Sequence, residues 1–206
     1  MKELEKQETY DIINISDLSS KPNILRGRWV FKKKPIVDPN STKSSHITNS
    51  NKTIRYKARW VIQGFHQKFR IDFLETFSTT CRTETWHMLL IIAINKGWHI
   101  IQYDVTNAFV HADIDADIYT ILPIGVYNNP NKVCYLNKAL YGLKQSPRLW
   151  NKYLKEVLET LDFRVFPYNE GVYINKNTKA ILIYHIDDIL VLHSDINYIR
   201  KLAKKI

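Results

Sequence analysis

Cysteine is scarce: Cys81 and Cys134 are the only two in 206 residues, far apart and without a CxxC spacing. That excludes a disulfide framework and a cysteine zinc cluster, and it fits a reducing compartment. Long apolar runs are also missing. The longest, Met88 to Ile94, falls well short of the roughly 20 residues a membrane-spanning helix needs. The opening MKELEKQETY is charged where a signal peptide would be apolar. Acid is nearly absent from one window. Residues 21–70 hold thirteen basic residues against a single acid, Asp38, for a local charge of +12. The whole chain carries +10, so the remainder is slightly acidic at −2. This is one cationic segment attached to a nearly neutral body. Hydrophobic residues make up 45% of the chain and aromatics 12%, enough to bury a core, so general disorder is excluded. The length suits one large domain or two small ones.

Patterning gives a mixed order of elements. Residues 1–25 are polar and mixed, and a loosely held arm is expected there. Residues 28–33 (RWVFKK) and 55–63 (RYKARWVIQ) alternate apolar and basic side chains, the period of a strand with one face buried and one wet. The Ser-, Asn-, Thr- and Pro-rich stretch between them reads as a long tip, so a hairpin with a cationic face is expected. Over 83–97, Trp86, Leu89, Leu90, Ala93 and Ile94 follow a helical stripe, with Thr83 as cap and Gly97 as stop. A second helix starts with Ser146 as N-cap and Pro147 as first helical residue; Trp150, Tyr153, Leu154, Val157, Leu158 and Leu161 form its apolar side. Strand-like runs cover 99–105, 171–174, 180–186 and 189–193. Hairpin, helix, strand, irregular segment, helix and strands in that order predict an α+β fold.

The most informative run is AILIYHIDDILVL, 180–192. It reads as two buried strands with Asp187 and Asp188 at or near their turn. Adjacent carboxylates repel, and burying them unpaired costs several kcal/mol. A divalent cation would compensate; a solvent-exposed turn is the plain alternative. A second acid in a matching place, Asp104 at the end of HIIQYDV, favours the cation. Two strand ends each bringing an acid would make a two-metal site suited to phosphoryl transfer. Successive strand residues point to opposite faces, so Asp187 and Asp188 are not equal ligands. Asp113, Asp115 and Asp117 lack the Gly and Glu of a calcium loop and read as a solvated acidic edge. His87, His99 and His111 show no metal spacing.

Four segments then carry a resemblance: RYKARWVIQGFHQKFRIDFLETFS (55–78), YDVTNAFVHADIDADIY (103–119), ALYGLKQSPRLW (139–150) and ILIYHIDDILVL (181–192). In this order they resemble copia-type LTR retrotransposon reverse transcriptases, over about Arg28 to Asp195. The resemblance implies a right-hand polymerase fold without a thumb: an arm at 1–25, fingers with the basic hairpin at 26–80, and a palm at 81–206. It implies RNA-directed DNA polymerase chemistry, with a primer 3′-hydroxyl attacking the α-phosphate of a deoxynucleotide. By similarity, Asp104 and Asp187 hold two magnesium ions with the backbone carbonyl of Val105, and Asp188 completes the triad; manganese is an alternative ion. Phe109 matches the gate that excludes a 2′-hydroxyl. Lys57 and Arg59 would face the triphosphate. Tyr141, Gly142 and Gln145 match the loop beside the incoming nucleotide.

Each of these residues has a plainer role as well: core phenylalanine, solvated strand face, turn glycine. The five tryptophans read mostly as core, with Trp29 and Trp60 placed to stack on nucleic acid if they are not. Two positions depart from the family pattern. His185 stands where Tyr is usual, near the primer terminus, and Ala112 stands where Gly is usual. The implied partners are a template-primer of RNA or DNA, deoxynucleotides, and the thumb, RNase H and integrase regions of a Pol polyprotein. The implied setting is intracellular, a cytoplasmic particle with a nuclear phase. Two other functions fit the residues less well: an inactive retroelement remnant that at most binds nucleic acid, and a metal-dependent nuclease. A sugar gate at Phe109 argues against the nuclease.

Overall fold

The computed structural model describes residues 2–18, 21–35, 54–127, 129–186 and 188–206. Lys43 and Lys52 of the basic window, and Asp187, lie outside the described residues. The α+β expectation holds: four helices and three sheets are described.

The central unit is an antiparallel five-stranded sheet. Its strands in chain order are β5 (His99–Asp104), β8 (Phe163–Phe166), β9 (Asn169–Asn175), β10 (Ile181–His185) and β11 (Asp188–His193), and they lie side by side as β5-β11-β10-β9-β8. The apolar run read from the sequence is the β10–β11 hairpin, and its alternate side chains serve two cores. Leu182, Tyr184, Ile189 and Val191 face one side and pack with α3 (Ser146–Thr160) and α4 (Ile196–Leu202). Ile183, Leu190 and Leu192 face the other and pack with Leu89 and Ala93 of α2 (Thr83–Asn95). Burial on both faces explains why these strands read as continuous apolar runs. Both predicted helices form, each with its N-cap one residue earlier than expected: Arg82 caps α2 and Gln145 caps α3. Ser146 is inside the helix, and its hydroxyl donates to the Leu140 carbonyl at 2.6 Å.

The expectation of a loosely held arm is overturned. After α1 (Lys2–Lys6), β1 (Tyr10–Asn14) pairs antiparallel with β7 (Lys132–Leu136), Tyr10 opposite Leu136 and Asn14 opposite Lys132. Together with β6 (Tyr119–Ile121) and β2 (Ile24–Leu25) they form a four-stranded sheet in the order β1-β7-β6-β2. Leu25 and Thr9 are completely buried. The arm's sequence is polar because it contributes backbone more than apolar surface.

The basic hairpin is β3 (Gly27–Pro35) paired with β4 (Ile54–Ile62) over nine residues. Its expected buried face exists only at the base. Trp60 and Ile62 are buried, whereas Phe31 and Tyr56 are 75% and 71% exposed. No other layer lies behind the outer half of this ribbon among the described residues, so its alternation cannot be cashed in as burial. Trp29 packs edge-on against Trp60, with ring centroids 5.4 Å apart, and donates to the Ile124 carbonyl at 2.9 Å. Both indoles therefore belong to the ribbon's root. The acidic edge behaves as expected. Asp113 pairs with Lys138 at 2.5 Å, Asp115 with Arg148, and Asp117 accepts from the Tyr135 hydroxyl.

Burial also sets an alkaline limit. Cys134, enclosed between β1 and β6, has its thiol pushed up from 9.0 to about 12 by burial. An unfolded chain releases that proton near 9.0 while the folded one keeps it, so stability falls as pH rises from about 9 toward about 12. Cys134→Ala is expected to flatten the loss of stability between pH 9 and 10 in urea melts, by up to about 1.4 kcal/mol per pH unit. An unchanged slope would place the alkaline sensitivity elsewhere.

Candidate functional site

Strand register brings the acids together. Asp188, first residue of β11, is directly opposite Asp104, last residue of β5, and His185 of β10 is opposite Asp188. Directly opposed residues of adjacent strands point to the same face. Asp104, Asp188 and His185 therefore share one end of the face that α2 covers further along. Opposed like charges destabilise a sheet, so this pairing is a structural cost. Gln102 relieves part of it by donating from Nε2 to Asp188 Oδ1 at 3.0 Å. Asp104 is exposed, and no hydrogen bond from a described residue reaches its carboxylate. His185 is exposed and meets the edge of Trp86, with centroids 5.9 Å apart.

The β10–β11 turn carries strain. Ile186 sits at φ +57°, a left-handed conformation that β-branched residues rarely adopt. The indole of Trp150, itself fully buried in α3, donates to the Ile186 carbonyl at 3.0 Å. Sequence reasoning placed Trp150 in the core and missed this second contact. Asn107, just after Asp104, is also left-handed at φ +53° and opens the short 3-10 turn Ala108–His111.

Beside Asp104 is a hollow of about 360 Å³, lined by Lys34, Arg55, Lys57 and Arg59 on one side and by Asp104 to Asn107 on the other, with Tyr141 also in the wall. The ribbon's two-residue period explains the cations. Arg55, Lys57 and Arg59 alternate on one face of β4, and Lys34 is opposite Arg55. Lys34 and Arg55 were legible from that alternation but were not singled out. Glu3 of α1 also lines the hollow; nothing in its local sequence signals this. Burial lowers the Lys57 ammonium from its ordinary 10.5, and the charges of Arg59 and Lys34 add to that, with Asp104 opposing. Four cations thus crowd one hollow with two carboxylates, Asp104 and Glu3, in its lining. Arg59 stacks over the Tyr141 ring at 5.0 Å, and its Nε is buried with no hydrogen-bond partner among the described residues. Tyr141 in turn meets Phe109 edge-on at 4.6 Å. Phe109 is buried, in keeping with the plainer reading of a core phenylalanine, and its ring lies against Tyr141.

Gly142 is at φ +95°, and a Cβ there would collide with the Ile62 carbonyl, so the loop before α3 lies backbone-on-backbone against the end of β4. Gln145 is placed differently from the rest. It is completely buried and bonded to Gln67 and to the Asp72 carbonyl.

The donor chemistry suits a hard divalent cation. The groups are the carboxylate oxygens of Asp104 and Asp188 on one face of the sheet. Among the described residues no group of three or more acidic, histidine or cysteine side chains gathers at one point. Asp104 and Asp188 are a pair, and Asp187 lies outside the described residues. Among the described residues, no helix is long and apolar enough to cross a membrane.

Comparison with known proteins follows the same lines. Residues 7–206 match the family model described as reverse transcriptase (RNA-dependent DNA polymerase). The chain is 35% identical over 176 residues to the retrovirus-related Pol polyprotein from transposon RE1 of Arabidopsis thaliana, covering 84% of this chain and 11% of that protein. It is 34% identical over 207 residues to the corresponding polyprotein from transposon TNT 1-94 of Nicotiana tabacum, covering 98% of this chain and 14% of that protein. It is 28% identical over 173 residues to the transposon Ty1-NL2 Gag-Pol polyprotein of Saccharomyces cerevisiae, covering 81% of this chain and 9% of that protein. The chain therefore spans only a small part, 11% and 14%, of the first two relatives.

Proposed function

The chain belongs to the reverse transcriptase (RNA-dependent DNA polymerase) family, as a copia-type fragment, and on that premise we propose that its cationic hollow takes the incoming deoxynucleotide for RNA-directed DNA synthesis. The observation that carries this is the wall of four cations, Lys34, Arg55, Lys57 and Arg59, facing Asp104 across the hollow. A triphosphate supplies the anionic acceptors such a wall attracts, and Arg59 Nε has no hydrogen-bond partner among the described residues. The β3–β4 ribbon is then the fingers, within 26–80, and the five-stranded sheet with its helices the palm, within 81–206.

In this reading, Arg59, Lys57, Lys34 and Arg55 neutralise the triphosphate. Tyr141, held between Arg59 and Phe109, forms the platform under the sugar, and Phe109 keeps that platform too high for a 2′-hydroxyl. Gly142 allows the backbone to approach the nucleotide closely. His185 lies beside the primer terminus. The primer 3′-hydroxyl gives up its proton to solvent, its oxygen bonds to the α-phosphorus, the bond from that phosphorus to the α–β bridging oxygen breaks, and pyrophosphate leaves carrying that oxygen. Asp104, Asp187, Asp188 and the Val105 carbonyl would hold two magnesium ions. When bound, such ions lower the 3′-hydroxyl pKa and offset charge on the phosphate. The residues themselves hold anionic groups in line, since phosphoryl transfer asks mainly for positioning and charge neutralisation. Template-primer, and the remaining parts of a Pol polyprotein, are the partners this function requires.

The test is dTTP incorporation on poly(rA)·oligo(dT) with magnesium. Arg59→Ala is expected to weaken dTTP binding about 10- to 100-fold, the equivalent of losing one or two charge-assisted hydrogen bonds. Because Lys57 gives up its proton below the ordinary lysine range, dTTP affinity should also begin to fall at a lower alkaline pH than an exposed lysine would allow, and Lys57→Arg should remove that fall. Salt-sensitive nucleic-acid binding without incorporation would point instead to a non-catalytic remnant. Incorporation indifferent to Arg59→Ala would count against the hollow.

A further inference from the structure

Three polar side chains are buried where the ribbon's exit meets the loop before α3. Gln67, Asp72 and Gln145 are 6%, 2% and 0% exposed. Such groups are costly to bury unless their bonds are made, and here they are. Gln145 Nε2 donates to the Asp72 carbonyl at 2.8 Å, and Gln145 Oε1 accepts from Gln67 Nε2 at 2.9 Å. Gln67 Oε1 accepts from the Lys144 N–H at 2.8 Å. Asp72 Oδ2 accepts from the Lys68 N–H at 2.7 Å and from Asn23 Nδ2 at 2.6 Å.

The network joins residues 64–73, which follow β4, to residues 140–146, which lead into α3, with Asn23 bonded at its Asp72 end. Along the same seam the backbones touch. A Cβ on Gly64 would strike the Gly142 carbonyl, and a Cβ on Gly142 would strike that of Ile62. The Ile62 N–H donates to the Tyr141 carbonyl at 2.8 Å. Arg59 lies three residues before Ile62, and Tyr141 immediately precedes Gly142. The seam thus sets the separation between the Arg59 guanidinium and the Tyr141 ring, 5.0 Å.

We propose that Gln145, with Gln67, is a positioning residue: it locks the loop before α3 onto the end of β4, so that Arg59 and Tyr141 stand ready for the triphosphate. This rests on the nucleotide reading of the hollow given above. Gln145 does not touch the nucleotide itself, because its side chain is fully enclosed and its amide is already bonded. Its contribution is preorganisation: a pair already held in place loses little freedom on binding.

A double-mutant cycle on dTTP affinity, measured by equilibrium titration with magnesium and poly(rA) carrying a 3′-dideoxy-terminated oligo(dT) primer that cannot be extended, tests it. Gln145→Ala is expected to raise the Kd for dTTP about tenfold, yet by less than about twofold in the Arg59→Ala background, because it acts through Arg59. Independent effects in the two backgrounds would mean a generally structural residue and would overturn the proposal, as would a Gln145→Ala protein with unchanged affinity. Arg59→Ala alone carries no change at Gln145, so an inert Arg59→Ala identifies failure of the nucleotide reading, and the proposal falls with it. Gln145→Ala leaves Gln67 Nε2 and the Asp72 carbonyl unpaired. If melting shows that this protein does not fold, the paired variant Gln67→Met/Gln145→Met keeps the shape while removing the bond between them, and the same cycle with the same outcomes applies.

Discussion

Asp104→Asn lowers dTTP incorporation by about a thousandfold while leaving the protein at least as stable as before; that is the expected result, and both halves follow from the register of β5 and β11. Asp104 and Asp188 are directly opposed on one face, where like charges cost roughly 0.2–1 kcal/mol. Asparagine removes one charge and keeps the shape, so the melting temperature should rise slightly or stay level. Loss of activity then cannot be attributed to unfolding. A second readout is independent of turnover: binding of manganese, followed by electron paramagnetic resonance, should weaken in Asp104→Asn and Asp188→Asn alike. Asp188→Asn should cost less in stability than a buried carboxylate normally would, because Gln102 can still donate to the amide oxygen. Incorporation that survives Asp104→Asn would remove the metal-dependent mechanism for this chain.

The acids were legible in the sequence because their setting is anomalous. Two carboxylates within AILIYHIDDILVL conflict with the local pattern, and such conflicts mark sites. The cationic face was legible for a different reason: RYKARW alternates strictly, and the two-residue period puts Arg55, Lys57 and Arg59 together whatever the rest of the fold does. The small sheet was not legible. Tyr119–Ile121 has three residues and Ile24–Leu25 two, too short for any period to show. The partner of Tyr10 is Leu136, far along the chain, so the arm's order comes from a pairing no local window contains. The burial of Gln145 was not legible for a related reason. The motif around it identifies a loop, but only the fold tells which of its side chains line the hollow and which are enclosed. Tyr141 and Gly142 face the hollow and the β4 end, and Gln145 points into the seam behind them. The one-residue shift of both helix caps is of the same kind, since Thr83 and Ser146 are good caps by type but lie already inside their helices.

Trp150 carries the largest expected stability effect. Its indole is 1% exposed in the core between α3 and the sheet, and Trp150→Ala should cost about 3–5 kcal/mol through the cavity it leaves. For a chain of this length that lowers the melting temperature by roughly 10 °C. Trp150→Phe separates packing from the hydrogen bond. It retains most of the apolar volume but cannot donate to the Ile186 carbonyl, whose partner is Trp150 Nε1 at 3.0 Å. Ile186 is held at φ +57°, a conformation costing about 1–3 kcal/mol for such a residue, and that cost must be met by the surroundings. Without the indole the turn is free to relax, and Asp188 is the first residue beyond it on β11. Trp150→Phe should therefore lose only about 1 kcal/mol of stability but lower kcat, with the dTTP Kd unchanged. Arg59→Ala should do the reverse, raising Kd more than it lowers kcat, because the triphosphate wall is built on β4 and does not depend on the turn. If Trp150→Phe keeps its kcat, the indole serves packing alone, and the strain at Ile186 is balanced by something other than Trp150.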